Sequence, residues 1–134
     1  LEGDRAAELL ASPKTASNDG VLALNTAFVQ GGVIINVREG ADVSKPVELV
    51  HVGTGSGAIV TRSQIRVGKG AQLRVLESFA GDTGNGEINA VFDYHVADTA
   101  KVAATRLIAG ESDPARLFTT IATLGAEAGF KSLG

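Results

Sequence analysis

Hydrophobic and polar residues alternate one by one along most of the chain, which is typical of β-strands with one buried face. In AIVTRSQIRV (58–67), for example, Ile65 and Val67 oppose Gln64 and Arg66. In EINAVFDYHV (87–96) the apolar face is formed by Ile88, Ala90, Phe92, Tyr94 and Val96. The alternation predicts strands from residue 33 onward, each with one face in a core and the other in water.

The first part of the chain has a helical pattern instead. DRAAELLA (4–11) predicts a short helix that Asp4 can cap, and SPKTASNDG (12–20) has the composition of a linker. VLALNTAF (21–28) predicts a second helix, with Val21, Leu24 and Phe28 on one face. We therefore divide the chain into an N-terminal helical segment and linker, residues 1–32, and a β core, residues 33–134.

The strand-forming region repeats itself. Short turn-like segments place an alanine at intervals of 30, 29 and 26 residues, at Ala41, Ala71, Ala100 and Ala126, which we expect to stack as equivalent positions. Glycine-containing loops alternate with these turns, so each unit of about 29 residues holds two strands, one short turn and one longer loop. Repeats of this length indicate a solenoid, a propeller or an array. The alternation fits a β-solenoid with about three coils or an antiparallel meander, and does not choose between them.

Composition narrows the possible functions. The chain has 134 residues, of which 44% are hydrophobic and 20% charged, enough for one domain with a core. Its net charge is −3 and it has no basic tract, which argues against nucleic-acid binding. It has no cysteine for disulfides or thiolate ligands, and no apolar run approaches the length of a membrane span. Because it also has no methionine and ends in the apolar pattern AGFKSLG, we expect it to be a fragment, truncated within its β core.

Gly68-Lys69-Gly70 is similar to part of a phosphate-binding loop. Such a loop requires a glycine five residues before its Gly-Lys pair and a Ser or Thr directly after it, to wrap the phosphates and hold magnesium. Ser63 and Gly70 occupy those two positions, and AQLRVLESF (71–79) alternates like a strand rather than opening a helix. We therefore interpret residues 68–70 as a tight turn with Lys69 at its solvated tip.

The other candidates for chemistry are isolated. His51 lies in a predicted strand without a second ligand at metal-site spacing, so we interpret it as a structural histidine satisfied by hydrogen bonds. His95 lies on the polar face of its strand and is interpreted as a solvated histidine. Glu77 falls on an apolar face, where a partly buried carboxylate can act chemically; we favour a structural role, in which it bonds a polar group of a neighbouring coil or sits at a strand end. GTGSG (53–57) has Val60 where a dinucleotide loop has its third glycine. We predict no catalytic, cofactor-binding or metal-binding residue in this chain.

Three segments carry a resemblance to a known family. VLALNTAFVQGGVIINVREGADVSKPVELVHV (21–52), with its ALNTA and PVELVHV motifs, resembles the SufD family of the SUF iron–sulfur cluster assembly system, as do GAQLRVLESFAG (70–81) and INAVFDYHV with AKVAATRL (88–107). The resemblance covers about residues 5–134. The paralogous SufB proteins share the ALN segment and the repeats but typically lack PVELVHV and carry cysteines here, so SufD is the better match.

The resemblance implies a right-handed parallel β-helix, flattened to two sheets, with short N-terminal helices. It also implies a non-catalytic scaffold subunit that pairs with SufB-like and SufC-like (ATPase) subunits in a cytoplasmic complex. From charge and hydropathy we expect neither nucleic acid nor a membrane as a partner. The family's functional stretches lie largely beyond this sequence, so none of its functional residues is carried over. We expect the fragment to associate end to end through its last coil, or residues near 124–134 to be disordered or misplaced. A SufB-type paralogue, a carbohydrate-active β-helix enzyme and an antiparallel β-sandwich binding module are the alternatives.

Overall fold

The computed structural model describes residues 18–54, 57–82, 86–108 and 115–134, which form one helix and eight strands. The helix predicted at residues 4–11 lies outside the described residues, as do the tips of the longer loops. The helix α1 spans Gly20–Phe28, and the strands are β1 Ile34–Val37, β2 Val47–Thr54, β3 Ile59–Val67, β4 Gln72–Asp82, β5 Ile88–Val96, β6 Lys101–Ile108, β7 Arg116–Leu124 and β8 Gly129–Leu133.

The strands form two parallel sheets that the chain visits in turn. The odd sheet has the order β1-β3-β5-β7 and the even sheet has the order β2-β4-β6-β8, and every pairing within them is parallel. Because each strand pairs with the strand two places further along the chain, the fold is a parallel, solenoid-like all-β arrangement. The antiparallel meander and the antiparallel sandwich are therefore wrong; β3 and β4 lie in different sheets and do not pair.

The short turns between the sheets are equivalent from one repeat to the next. In each, a residue with positive φ stands at the third position of a turn: Gly40, Gly70, Thr99 and Glu127, with φ of 69°, 66°, 60° and 55°. A type II turn requires this backbone conformation at that position, which explains the glycine of the first two turns.

The last turn corrects the predicted alanine stack. The amide of Ala128 donates to Gly125, as Ala41 donates to Arg38, and the strand register aligns Lys101 with Gly129. The fourth equivalent alanine is therefore Ala128 and not Ala126. The Gly-Ala dipeptide at 125–126 suggested the wrong alignment because Gly125 stands at the first position of its turn, not at the third. The backbone of Gly125, which has no Cβ, lies against Asp98 in the equivalent turn of the preceding coil.

The core lies between the two sheets. It is built from the inward residues of every strand pair, with Ile65, Phe92 and Tyr94 fully buried at its centre. The inward face of β5 is the one that the alternation predicted. The outward face is not wet as expected, because Arg62, Asn89 and Asp93 are also buried, at 2%, 4% and 7% exposure.

Helix α1 packs on this outward face of the odd sheet. Asp19 caps it by accepting hydrogen bonds from the amides of Val21 and Leu22. Leu22 and Asn25 are its buried residues, whereas Leu24 and Phe28 are 44% and 60% exposed. The predicted apolar face is therefore wrong: the helix contacts a polar part of the sheet, so hydrophobicity alone selected the wrong residues.

Candidate functional site

A charged cluster lies in the core between the two sheets. Glu77 of β4 is only 1% exposed, and Arg106 of the neighbouring strand β6 donates to its Oε2 through Nε at 2.8 Å. A second guanidinium nitrogen, Nη2, lies 2.7 Å from the same oxygen. The hydroxyl of Tyr94, which comes from β5 of the opposite sheet, donates to Oε1 at 2.6 Å. One carboxylate thus joins two coils and both sheets.

The register of the even sheet explains how the ion pair forms. Glu77 and Arg106 are direct partners in the parallel pairing of β4 with β6, so both side chains point inward at the same level. The guanidinium carbon of Arg106 lies 4.9 Å from the ring centroid of Phe92 and 4.8 Å from that of Phe118, and Nη2 donates to Thr120 at 3.2 Å. These rings supply cation–π stabilisation that replaces part of the lost hydration of the cation.

The same surroundings shift the pKa values of two further groups, Tyr94 and His51. Burial, and then the hydrogen bond to Glu77, raise the pKa of the Tyr94 hydroxyl, so it remains a proton donor. Burial lowers the pKa of His51, which stacks on Phe79 with ring centroids 4.7 Å apart. Nearby Glu77 opposes that shift and Arg106 adds to it. His51 is therefore held as a neutral aromatic group.

This arrangement is suited to holding the fold together rather than to acid–base catalysis. A general base needs a free lone pair within hydrogen-bond reach of a substrate. Both oxygens of Glu77 are engaged, and its side chain is inaccessible. The sequence-based expectation that Glu77 bonds a polar group of a neighbouring coil is confirmed, and its partners are Arg106 and Tyr94.

A second buried polar cluster, which the sequence did not reveal, fixes helix α1 to the odd sheet. Asn25 is fully buried; its Nδ2 donates to the carbonyls of Thr61 at 2.9 Å and Asn89 at 3.1 Å, and its Oδ1 accepts from Arg62 Nε at 3.1 Å. Arg62 Nη2 donates to Thr26 at 2.7 Å. Asn25 and Thr26 are the polar residues of the ALNTA motif, which was the one available signal.

The other predicted residues are dispersed. Lys69 is exposed in the turn between β3 and β4, and β4 follows it instead of a helix, which confirms that Gly68-Lys69-Gly70 is a turn. His95 is partly exposed, with Nε2 3.0 Å from Asp93. His51 Nε2 is buried and has no hydrogen-bond partner among the described residues, so the expectation that hydrogen bonds satisfy this side chain fails there for that atom. The residues of GTGSG at positions 55–56 lie outside the described ranges.

No three His, Asp or Glu side chains among the described residues converge to hold a metal ion. Helix α1, the single helix of the described segments, is too short to cross a membrane.

Comparisons with family models, with curated proteins and with solved structures found no match for this chain. The fold and the cluster define it as a parallel, solenoid-like β protein whose core is crossed by a Glu–Arg–Tyr network. Its resemblance to the SufD family therefore rests on the sequence motifs described above alone.

Proposed function

We propose that this chain is the N-terminal and core part of a SufD-type scaffold subunit, in a cytoplasmic complex that assembles iron–sulfur clusters. The proposal includes the fold detail implied by that family, a right-handed parallel β-helix flattened to two sheets. The observation that carries it is the order and spacing of three motifs, ALNTA, PVELVHV and GAQLRVLESFAG, on a chain whose repeats of about 29 residues alternate between two parallel sheets.

The positions of the motifs support this proposal physically. ALNTA contributes Asn25, which fixes the helix to the odd sheet. PVELVHV contributes His51, which stacks on Phe79, and GAQLRVLESFAG contributes Glu77, which joins the two sheets. Each motif thus supplies a polar or aromatic group, buried at Asn25 and Glu77 and partly buried at His51, that takes part in the packing of the described fold. Resemblance at such positions argues for a shared architecture more strongly than resemblance in exposed loops does.

The buried cluster supports a non-catalytic role. A carbohydrate-active enzyme on a similar solenoid needs acidic or basic groups over an open groove and aromatic side chains that stack on sugar rings. Glu77 is inaccessible, and the rings of Phe92, Phe118 and Tyr94 are engaged with the cluster or the core. A SufB-type paralogue is the nearest rival, and the PVELVHV motif favours the SufD type.

The test is affinity purification of the intact gene product that contains this sequence from its native cells, with the associated proteins identified by mass spectrometry. We expect a SufC-like ATPase and a SufB-like subunit to co-purify in stoichiometric amounts. An untagged strain gives the background. If neither subunit is recovered, or if loss of the gene leaves iron–sulfur cluster occupancy of cellular enzymes unchanged, the proposal is wrong.

A further inference from the structure

A positively charged groove crosses the outer face of the even sheet near the beginnings of its strands. Its volume is 510 Å³, and its charged lining residues are Arg74, Lys101, Lys131 and Asp42. The core residues Leu73 and Val102 alternate with these residues, which places them on the side facing away from the core. The groove carries an excess of two positive charges on a chain whose net charge is −3.

The strand register places Arg74, Lys101 and Lys131 around the groove. Arg74, Ala103 and Lys131 are partners across β4, β6 and β8, so a small side chain separates two long cationic ones. Lys101 pairs with Gly129, which has no side chain. A Cβ at position 129 would lie 3.7 Å from Cγ of Lys101, which is an ordinary van der Waals contact. Small residues between cations leave space for a ligand.

The cations are available to a ligand. Arg74, Lys101 and Lys131 are all exposed, and no carboxylate of the described residues lies within ion-pair distance of them. The one hydrogen bond of Arg74 among these residues is to the carbonyl of Ser44, at 3.1 Å, and this bond holds its side chain across the sheet.

We propose that this groove binds an acidic peptide segment of a partner protein. Neighbouring strands are about 4.8 Å apart and alternate residues about 6.6 Å, so the Cα atoms of Lys101 and Lys131 are about 8 Å apart and those of Arg74 and Lys131 about 10 Å. The long side chains of these residues can converge on one anion, but the 510 Å³ groove is far larger than a single phosphate or carboxylate. An extended peptide with carboxylates at alternate positions, about 7 Å apart, fills more of the groove and offers an acidic group to each cation.

Other polyanions fit the groove less well. Nucleic acids are held by more extensive basic surfaces, and single strands and sugars are held by exposed aromatic rings. The aromatic residue of the groove, Phe130, packs its ring against Tyr94 of the core at a centroid distance of 4.9 Å. This proposal does not depend on a role in iron–sulfur cluster assembly, so the two can fail separately.

The first experiment is calorimetric titration of the protein, at low ionic strength, with a blocked octapeptide of alternating Glu and Thr. The matched peptide of alternating Gln and Thr is the control. We expect saturable binding of the acidic peptide that weakens as salt is added, and no binding of the neutral one. No saturable binding, or equal binding of both peptides, would overturn the proposal. So would tighter binding of a single-stranded oligonucleotide or of polygalacturonate under the same conditions.

Variants then locate the binding site. Replacing Lys101 and Lys131 together by Gln should weaken peptide binding about three- to tenfold, as expected for two exposed ion pairs. The matched pair Lys45→Gln and Lys69→Gln removes the same charge from exposed positions outside the groove and should change the affinity less than about twofold. Equal losses in both pairs would show that net charge, and not the groove, controls binding.

Two further variants test the shape of the groove while all three cations remain. Gly129→Val fills the floor at a position where the backbone tolerates a side chain, and we expect it to weaken peptide binding. Ala103→Glu places a negative charge between Arg74 and Lys131 and should abolish binding. Circular dichroism checks that each variant is folded, and if Gly129→Val is not, Ala103→Glu decides. Unchanged affinity in folded Ala103→Glu protein would refute the proposed site.

Discussion

The substitution Glu77→Gln tests how the buried cluster stabilises the protein. It preserves the size and shape of the side chain but removes the negative charge that Arg106 and Tyr94 contact. A glutamine has one acceptor oxygen, so it cannot accept from both partners at the two ends of its head group. If the oxygen faces Tyr94, the amide NH₂ faces the Arg106 guanidinium, and two donors then oppose each other.

The expected loss follows from the burial of the pair. Removing one partner of a buried ion pair costs about 3–5 kcal/mol, because the other charge is left without compensation. The Arg106 side chain retains 14% exposure and its contacts with two aromatic rings, which reduces the loss. We therefore expect Glu77→Gln to lower the free energy of unfolding by about 3 kcal/mol. Tyr94→Phe, which removes one hydrogen bond to a charged acceptor, should cost about 1.5–3 kcal/mol.

The assay is equilibrium unfolding in urea, followed by far-ultraviolet circular dichroism. With the typical urea dependence of about 1–3 kcal/mol/M, a loss of about 3 kcal/mol lowers the midpoint by about 1–3 M. Glu48→Gln is the matched control: Glu48 is exposed on β2, accepts a 3.4 Å hydrogen bond from Ser78, and should lose less than about 0.5 kcal/mol on substitution.

A double-mutant cycle isolates the pair. If Arg106→Gln is added to Glu77→Gln, no unpaired charge remains, so we expect the double variant to lose about 2 kcal/mol less than the sum of the single losses. A Glu77→Gln protein as stable as Glu48→Gln, or strict additivity in the cycle, would refute the reasoning that the buried charges compensate each other.

Three further predictions concern other parts of the fold. Because burial lowers the pKa of folded His51, the unfolded chain binds more protons below about pH 6.5, and stability should fall as the pH decreases from 7.5 to 5.5; His51→Phe should reduce this slope in urea titrations, and an unchanged slope would assign it to other groups. Thr99→Gly should raise the thermal midpoint, because it removes a β-branched side chain from a position with positive φ, whereas Gly70→Ala should lower the midpoint. Each substitution should change the free energy of unfolding by about 1 kcal/mol, and midpoints equal to that of the wild type would show that these turns are not strained. Association through the open edges of β7 and β8 should be detectable by light scattering across a concentration series and be weakened by Leu124→Lys but not by the control Val52→Lys; a strictly monomeric wild-type protein would contradict it.

The alternation of residues was sufficient to predict the strands and the inward faces of β3 and β5. In a strand, side chains point to opposite faces with a period of two, so the sequence itself records which residues meet the core. The repeat length was also legible, because equivalent turns require residues that tolerate the same backbone conformation. The error at Ala126 arose where Glu127 adopts that conformation without the glycine that marks it in the first two turns, while a glycine stands two positions earlier, at Gly125.

The buried face of the helix was not legible in the same way. Hydrophobicity selected Leu24 and Phe28, but the surface that the helix meets contains Arg62 and Asn89. A polar residue is buried where its donors and acceptors find partners, and those partners lie 36 to 64 positions away along the chain. Asn25 is therefore buried because of the strands on which the helix packs, and this cannot be read from the helix sequence alone.

The sequence by itself determined that this protein is built from repeated, half-apolar strands, and that Glu77 lies on an apolar face. It also excluded a phosphate-binding loop at residues 68–70, because the local chemistry of such a loop is absent. Only the tertiary structure decided that the strands pair in parallel, and that Glu77 meets Arg106 and Tyr94. The physical reason is that burial of one strand face depends on local alternation, whereas strand direction and ion pairing depend on register between segments far apart in the chain.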